Sequence, residues 1–166
     1  MGEVLAVCVS VKKGRRKNDV GNAVFREGHG IEGDAHAGPW HRQVSLLAWE
    51  SIEKMRAKGL NVNVGSFAEN VTTKGIDLPS LPIGYRFTLG ADVLMEVTQI
   101  GKECHTRCAI YTAAGDCVMP KEGIFARVLS GGMVRVGDAV AGETASVAGT
   151  INRWHPCGGY SFGRLV

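Results

Sequence analysis

Hydrophobic residues along this chain come in short runs broken by glycine and charge, the pattern of strands joined by tight turns. Residues 4–11 form a first run rich in β-branched side chains, and residues 23–25 can return as a second strand after a polar loop at 14–18. Residues 86–89 and 93–99 read as two strands joined at Gly90-Ala91-Asp92, and residues 139–142 as a last short strand. Residues 124–129 and 133–136, separated by Ser130-Gly131-Gly132, read as the clearest hairpin. Residues 44–60 depart from this pattern. Leu47 or Ala48, Ile52 and Met55 recur at helical spacing, with Glu50 and Glu53 early and Lys54, Arg56 and Lys58 late, complementing a helix dipole. Gly59 stands where a left-handed residue would end that helix, with Leu60 closing over it.

Residues 66–71 read as a short helix or turn, and two prolines exclude regular structure from 78–84. Residues 28–41 have too many glycines and too little periodicity for a helix and read as an ordered functional loop. These elements predict a mainly β fold, a barrel or sandwich with a few short helices. Residues 1–142 carry the pattern as a single domain, and residues 143–166 form a poorly patterned C-terminal tail.

A chain of 166 residues suits one domain with its own core. No apolar run approaches the roughly 20 residues that span a bilayer, and the first strand lacks the basic flank and cleavage site of a signal peptide. The expectation is a soluble, cytoplasmic protein without a membrane partner. Five cysteines are an odd number, and reduced thiols fit that compartment better than a disulfide framework. The net charge is +3, with the basic excess gathered in Lys12, Lys13, Arg15, Arg16 and Lys17. Such a cluster serves as a phosphate clamp, a nucleic-acid patch or a solvated loop; the scarcity of aromatic residues for base stacking argues against nucleic acid.

The densest chemistry lies at Cys104, His105, Cys108 and Cys117, with Lys102, Arg107 and Lys121 nearby. Thiolate attacks electrophiles, carries sulfur and binds soft metals, and positive charge favours it. The spacing lacks the paired short-range ligands of a zinc ribbon or finger, and an iron–sulfur cluster would need a distant fourth thiolate. A zinc-stabilised module stays an alternative, and each cysteine taken alone can be a small buried hydrophobe. The glycine loop offers a metal site from Asp34, His36 and His41, or an anion pocket from His41, Arg42, Ser45 and backbone N–H groups at the start of the expected helix. The anion pocket is the preferred reading. Asp34 alone would make an Asx turn, and Glu69 and Asn70 cap a turn when no partner is at hand.

Taken in order, several of these segments resemble the MOSC family, named after the C-terminal domain of molybdenum cofactor sulfurase. The matching elements are Gly30-x-x-Gly33-Asp34-x-His36-x-Gly38, Arg42-Gln43-Val44-Ser45-Leu46, Phe67-x-Glu69-Asn70-x-Thr72-x-x-Gly75, Val97-Thr98-Gln99 leading to Cys104, and Gly132-x-Val134-x-Val136-Gly137-Asp138. The resemblance runs to about Gly142 and is carried by the order of the pieces. It implies a MOSC-type β-barrel and a role with molybdenum cofactor, binding the pyranopterin or moving sulfur toward the metal. The signature cysteine, a molybdenum ligand or sulfur carrier in the family, aligns with Cys104; many members have proline before it where this chain has Glu103. Cys108 and Cys117 are rival thiols.

Candidates for holding the cofactor are Lys12, Arg15, Arg16, Lys17, Gly33, Asp34, His36, His41, Arg42, Ser45, Glu69 and Asn70. A cysteine desulfurase or a molybdoenzyme is the implied protein partner. The open alternatives are a sulfurtransferase, a component of a molybdenum-dependent reductase acting on N-hydroxylated substrates, and a non-enzymatic carrier or adaptor. No lysine has a Schiff-base context, so pyridoxal phosphate is not expected.

Overall fold

The computed structural model of the chain describes residues 1–104 and 106–142; the expected tail at 143–166 and His105 lie outside them. Eleven strands and three short helices follow one another: β1 (Gly2–Val9), β2 (Asn18–Asp19), β3 (Asn22–Arg26), β4 (Gly30–Ile31), β5 (Val44–Ala48), α1 (Trp49–Ala57), β6 (Val71–Lys74), β7 (Arg86–Leu89), β8 (Val93–Ile100), α2 (Ala109–Ala114), α3 (Met119–Glu122), β9 (Ile124–Ser130), β10 (Gly132–Arg135) and β11 (Ala139–Gly142). A single 3₁₀ turn, Leu78–Ser80, precedes β7.

Seven strands run in the order β11-β7-β8-β9-β5-β6-β1, and β11 pairs back to β1 through Gly2↔Val140. That pairing closes a barrel and removes the unpaired edges that an open sheet would expose. Its neighbours are antiparallel except β5 and β6, which run parallel with Leu46 opposite Val71. A parallel pair needs a crossover connection, and α1 supplies it. β10, β3 and β4 form a second, three-stranded sheet.

The barrel is filled by alternate side chains. On β8, Val93, Met95 and Val97 are buried in the main core while Glu96 faces out between Arg86 and Arg127 on the strands at either side, the period-2 pattern of a half-buried strand. A second cluster outside the barrel joins Leu47, Ile52, Met55, Phe67, Ile110, Cys117, Val118 and Met119. It packs α2 and α3 onto α1, and the ion pairs Lys54–Glu122 at 2.8 Å and Lys58–Asp116 at 3.0 Å flank it.

The mainly β barrel agrees with the expectation from sequence, and three assignments are corrected. Residues 78–84 are not wholly irregular: Pro79, which lacks only an N–H that the first turn leaves unpaired, sits in the 3₁₀ turn Leu78–Ser80. Residues 44–48 do not belong to the helix; they form β5, which is buried along its whole length. Val44, Leu46 and Ala48 enter the barrel core while Leu47 enters the second cluster, so both faces are buried and the run has no clean strand period to read. The helix starts at Trp49 and gives way to Gly59 at φ 89°.

The hairpin expected between residues 124–129 and 133–136 is also absent. β9 pairs with β8 and β5, whereas β10 pairs with β3 from Gly132↔Phe25 to Arg135↔Asn22. The two glycines mark a change of sheet. A Cβ on Gly131 would stand 2.5 Å from the Phe25 carbonyl oxygen, so that crossing admits no side chain. β6, α2 and α3 had no counterpart among the expected elements. Among the described residues no helix is long and apolar enough to cross a membrane.

Candidate functional site

β8 ends at Ile100, and the chain leaves the barrel at Gly101 and runs through α2 and α3 before returning as β9. Gly101 pins the exit: at φ 74° its N–H donates to the Gly123 carbonyl at 2.7 Å, and a Cβ there would stand 2.2 Å from the Pro120 oxygen. The excursion forms one wall of a cleft of about 1470 Å³. The opposite side is built from Arg15 and Arg16, His41 and Arg42, and the turn Ser66-Phe67-Ala68. Gly65 makes that assembly close. Its carbonyl accepts the Lys17 N–H at 2.9 Å, and a Cβ on it would stand 2.0 Å from the Lys17 oxygen, which draws the basic loop onto the turn.

Cys104, Cys108 and Cys117 all line this cleft. Cys104 and Cys108 are exposed, whereas Cys117 is buried in the second cluster. Burial pushes the Cys117 thiol up from its ordinary pKa, with the neighbouring Cys108 and Cys104 adding to the rise. Cys117 therefore stays a neutral thiol, and the two exposed cysteines are the groups open to chemistry.

The same cleft holds Arg15, Arg16, Arg42, Lys102 and Arg107 against one acidic lining residue, Glu103. None of those five cations forms an ion pair among the described residues. Arg42 is held by aromatic faces: its guanidinium carbon lies 5.1 Å from the Trp40 ring and 5.4 Å from the Phe125 ring, a preorganising cation–π arrangement. Its Nε is buried with no hydrogen-bond partner among the described residues. His41 beside it has Nε2 at 3.1 Å from Gln99 Oε1. The Thr98 hydroxyl donates to the His41 carbonyl, and the Gln99 amide to the Gly101 carbonyl at 2.8 Å. The end of β8 thus ties the arginine side of the cleft to the cysteine side. Phe67, Ile110, Tyr111 and Met119 supply apolar lining.

Other candidates from the sequence lie outside the cleft lining. Glu69 is fully buried and accepts from Phe67 N–H at 3.0 Å, Thr72 Oγ1 at 3.1 Å and Gly65 N–H. Burial raises its pKa against the lowering effect of those bonds. The Asn70 side chain accepts from Ser45 N–H and Oγ, each at 3.1 Å, and donates to the Cys8 carbonyl at 3.1 Å, tying β5 to β1. Glu69, Asn70 and Ser45 thus shape the turn beneath the cleft through bonds internal to the fold. Between them Ala68, a cleft residue, holds φ 62°, a left-handed conformation that costs a non-glycine residue about 1 kcal/mol.

Lys12 is exposed away from the lining, and Gly33 holds φ 81° in the glycine loop. Asp34 is taken up by Lys17 at 2.6 Å and by the His36 N–H at 3.0 Å; the Asx turn is present, reinforced by a buried cation. With His41 engaged by Gln99, the trio Asp34, His36 and His41 does not converge. Among the described residues no group of three or more His, Cys, Asp or Glu side chains could hold a metal ion. Sequence reasoning missed Trp40, Phe67, Ala68, Ile110 and Tyr111. Their flanking positions beside Arg42, Glu69 and the cysteine segment were the available signal.

The fold and cleft define a closed β-barrel domain with a thiol-lined, cation-rich ligand cleft at the end of one strand. The chain belongs to the MOSC domain family, whose profile matches residues 32–141. Solved structures show the same fold. The YuaD protein from Bacillus subtilis superposes with a TM-score of 0.69 at 19% identity, over 84% of this chain and 94% of that one. YiiM from Geobacillus stearothermophilus gives 0.63 at 18%, over 89% and 78%, and YiiM from Escherichia coli 0.58 at 19%, over 86% and 70%. No curated protein sequence matches the chain.

Proposed function

We propose that the cleft binds molybdenum cofactor or a pyranopterin precursor, with Cys104 as metal ligand or sulfur carrier. The observation that carries this reading is an exposed Cys104 in one cleft with Arg42, a rigidly held cation with no carboxylate partner among the described residues. The donor set fits such a group. A thiolate suits a soft, sulfur-bound metal centre, the buried Arg42 Nε lacks a protein acceptor among the described residues, and apolar side chains can cover a flat ring. Arg15, Arg16 and Arg42 would hold the phosphate, and Cys104 would face the metal end. When bound, molybdenum supplies a centre for two-electron redox chemistry or sulfur acceptance.

The chain's own contribution is to neutralise the anionic end, exclude water with Phe67 and Ile110, and present a thiol. A cytoplasmic setting keeps that thiol reduced, and a cysteine desulfurase or a molybdoenzyme is the corresponding protein partner. Reconstitution with cofactor followed by metal and pterin analysis tests the reading. Arg42→Ala should lower pterin retention about tenfold, the scale of one lost charge-assisted hydrogen-bonding group. Cys104→Ala should lose molybdenum while keeping pterin. Equal molybdenum in wild type and Cys104→Ala removes the ligand role, and a persulfide mass on Cys104 after incubation with a desulfurase and cysteine supports the carrier role.

A further inference from the structure

Two arginines on opposite walls of the cleft are held over aromatic rings. Arg42 lies between Trp40 and Phe125, and across the cleft the Arg107 guanidinium carbon stands 4.9 Å from the Tyr111 ring. A ring face attracts a guanidinium and orders it without consuming its N–H donors. Neither arginine forms an ion pair among the described residues. The cleft therefore offers two preorganised anion-binding points, and the proposed cofactor phosphate uses only the first.

The second point stands beside the thiols. Lys102 follows Gly101, whose N–H is tied to the Gly123 carbonyl at 2.7 Å. Arg107 precedes Cys108, whose carbonyl accepts the Thr112 N–H at 3.0 Å and the Thr112 hydroxyl at 3.1 Å. Both cations are thus rooted next to fixed backbone. They line the same wall as the exposed Cys104 and Cys108, together with Glu103 and Thr106. Two cations against one carboxylate leave a single positive charge on this wall, whereas Arg15, Arg16 and Arg42 share theirs with no acidic lining residue. A phosphate dianion suits the opposite wall. One carboxylate suits this one, since a guanidinium meets it through two parallel hydrogen bonds.

We infer that Lys102 and Arg107 form a second anion subsite, which seats a small carboxylate-bearing substrate beside the Cys104 and Cys108 thiols. Holding the carboxylate there raises the local concentration of the molecule at the thiols and leaves the opposite wall to the phosphate. The inference rests on the proposed function only for the role of the thiols. The subsite belongs to the ligand-free protein, so its failure is separate from a failure of cofactor binding.

Alkylation with iodoacetate and with iodoacetamide, followed peptide by peptide on the ligand-free protein, tests this. The two reagents differ in a carboxylate, and both attack thiolate, so the ratio of their rates at one cysteine cancels the thiol pKa. The same cysteine in urea supplies the reference ratio, with its sequence neighbours present but without the fold. At Cys104 or Cys108 the native ratio should exceed that reference about tenfold, the scale of one charge-assisted hydrogen-bonding group. Lys102→Gln/Arg107→Gln should return it to the reference, and Arg42→Gln should lower it less than Arg107→Gln does. Arg127→Gln removes the same charge from the outside of the barrel, where Arg127 pairs with Glu96 at 2.7 Å, and should keep the wild-type ratio. Should the double variant fail to fold, competition in the wild type decides: propionate should slow iodoacetate labelling more than chloride or phosphate does at equal ionic strength. A native ratio equal to the reference, a ratio kept by Lys102→Gln/Arg107→Gln, a ratio lost as fully in Arg42→Gln or Arg127→Gln, or phosphate as the stronger competitor would each overturn the inference.

Discussion

Among the cysteines of the described residues, the structure separates two exposed thiols from two buried ones, and alkylation rates convert that division into numbers. Cys8 lies in β1 with no exposed surface. Burial, with Glu69 and Asp19 adding negative charge and Lys17 opposing, pushes its pKa up from 9.0 to about 12. Three pKa units reduce the thiolate fraction near neutral pH about 1000-fold, and thiolate is the reacting form. Access lowers the rate further, because reagent reaches Cys8 only when β1 opens, and β1 pairs with both β6 and β11 in the closed barrel. Iodoacetamide labelling at pH 8, followed peptide by peptide, should therefore modify Cys104 and Cys108 first. Cys117 should follow slowly, and Cys8 at least about 1000-fold more slowly than an ordinary free thiol. In denaturant all four should converge on similar rates, since the protection resides in the fold. Native labelling of Cys8 or Cys117 at the rate of Cys104 would refute the division into two exposed and two protected thiols.

Three further outcomes follow from the geometry. Replacing Glu69 with Ala orphans the Phe67 and Gly65 N–H groups and the Thr72 hydroxyl; at about 1–3 kcal/mol for each buried unsatisfied group, urea unfolding should show a loss of about 3 kcal/mol or more, and a loss under 1 kcal/mol contradicts the accounting. Ala68→Gly should raise stability by about 0.5 kcal/mol by removing left-handed strain at φ 62°, less the entropy glycine adds to the unfolded chain. Ala68→Val should lower it, and an order reversed in urea midpoints argues against the assigned backbone. Hydrogen bonds from Lys58 and Lys121 and the Cys117 N–H bring Asp116 down to about 2. A depressed carboxylate pKa stabilises above its unfolded value of about 3.9 and ceases to do so as pH falls through the folded value. Hydrogen-exchange protection of α2 and α3, taken relative to the intrinsic rate at each pH, should therefore fall between about pH 4 and 2, and Asp116→Asn should weaken that response.

The cysteine segment, the basic loop and the apolar helix face were all legible as local composition. Their convergence was only partly so. Arg42 and Cys104 were named from sequence, but the aromatic pair that holds Arg42 comprises its near neighbour Trp40 and the distant Phe125. Lys17 was grouped with Arg15 and Arg16 because a run of cations looks uniform along the chain. Its burial depends on Asp34, seventeen positions away. Ala68 looked unremarkable because the side chain carries no sign of the left-handed backbone that its turn imposes.

Sequence by itself determined the mainly β class, most of the short strands, the span of α1 beyond Trp49 and its end at Gly59, and the thiol-bearing segment. These depend on local side-chain period and turn chemistry. Tertiary structure decided that residues 44–48 are a strand, that β10 joins β3, and that the Lys17 ammonium is buried against Asp34 and His36. A strand covered on both faces loses its alternation, a pairing partner is chosen through space, and a buried charge goes wherever its counter-ion lies. None of those three quantities is written in the residues next to it.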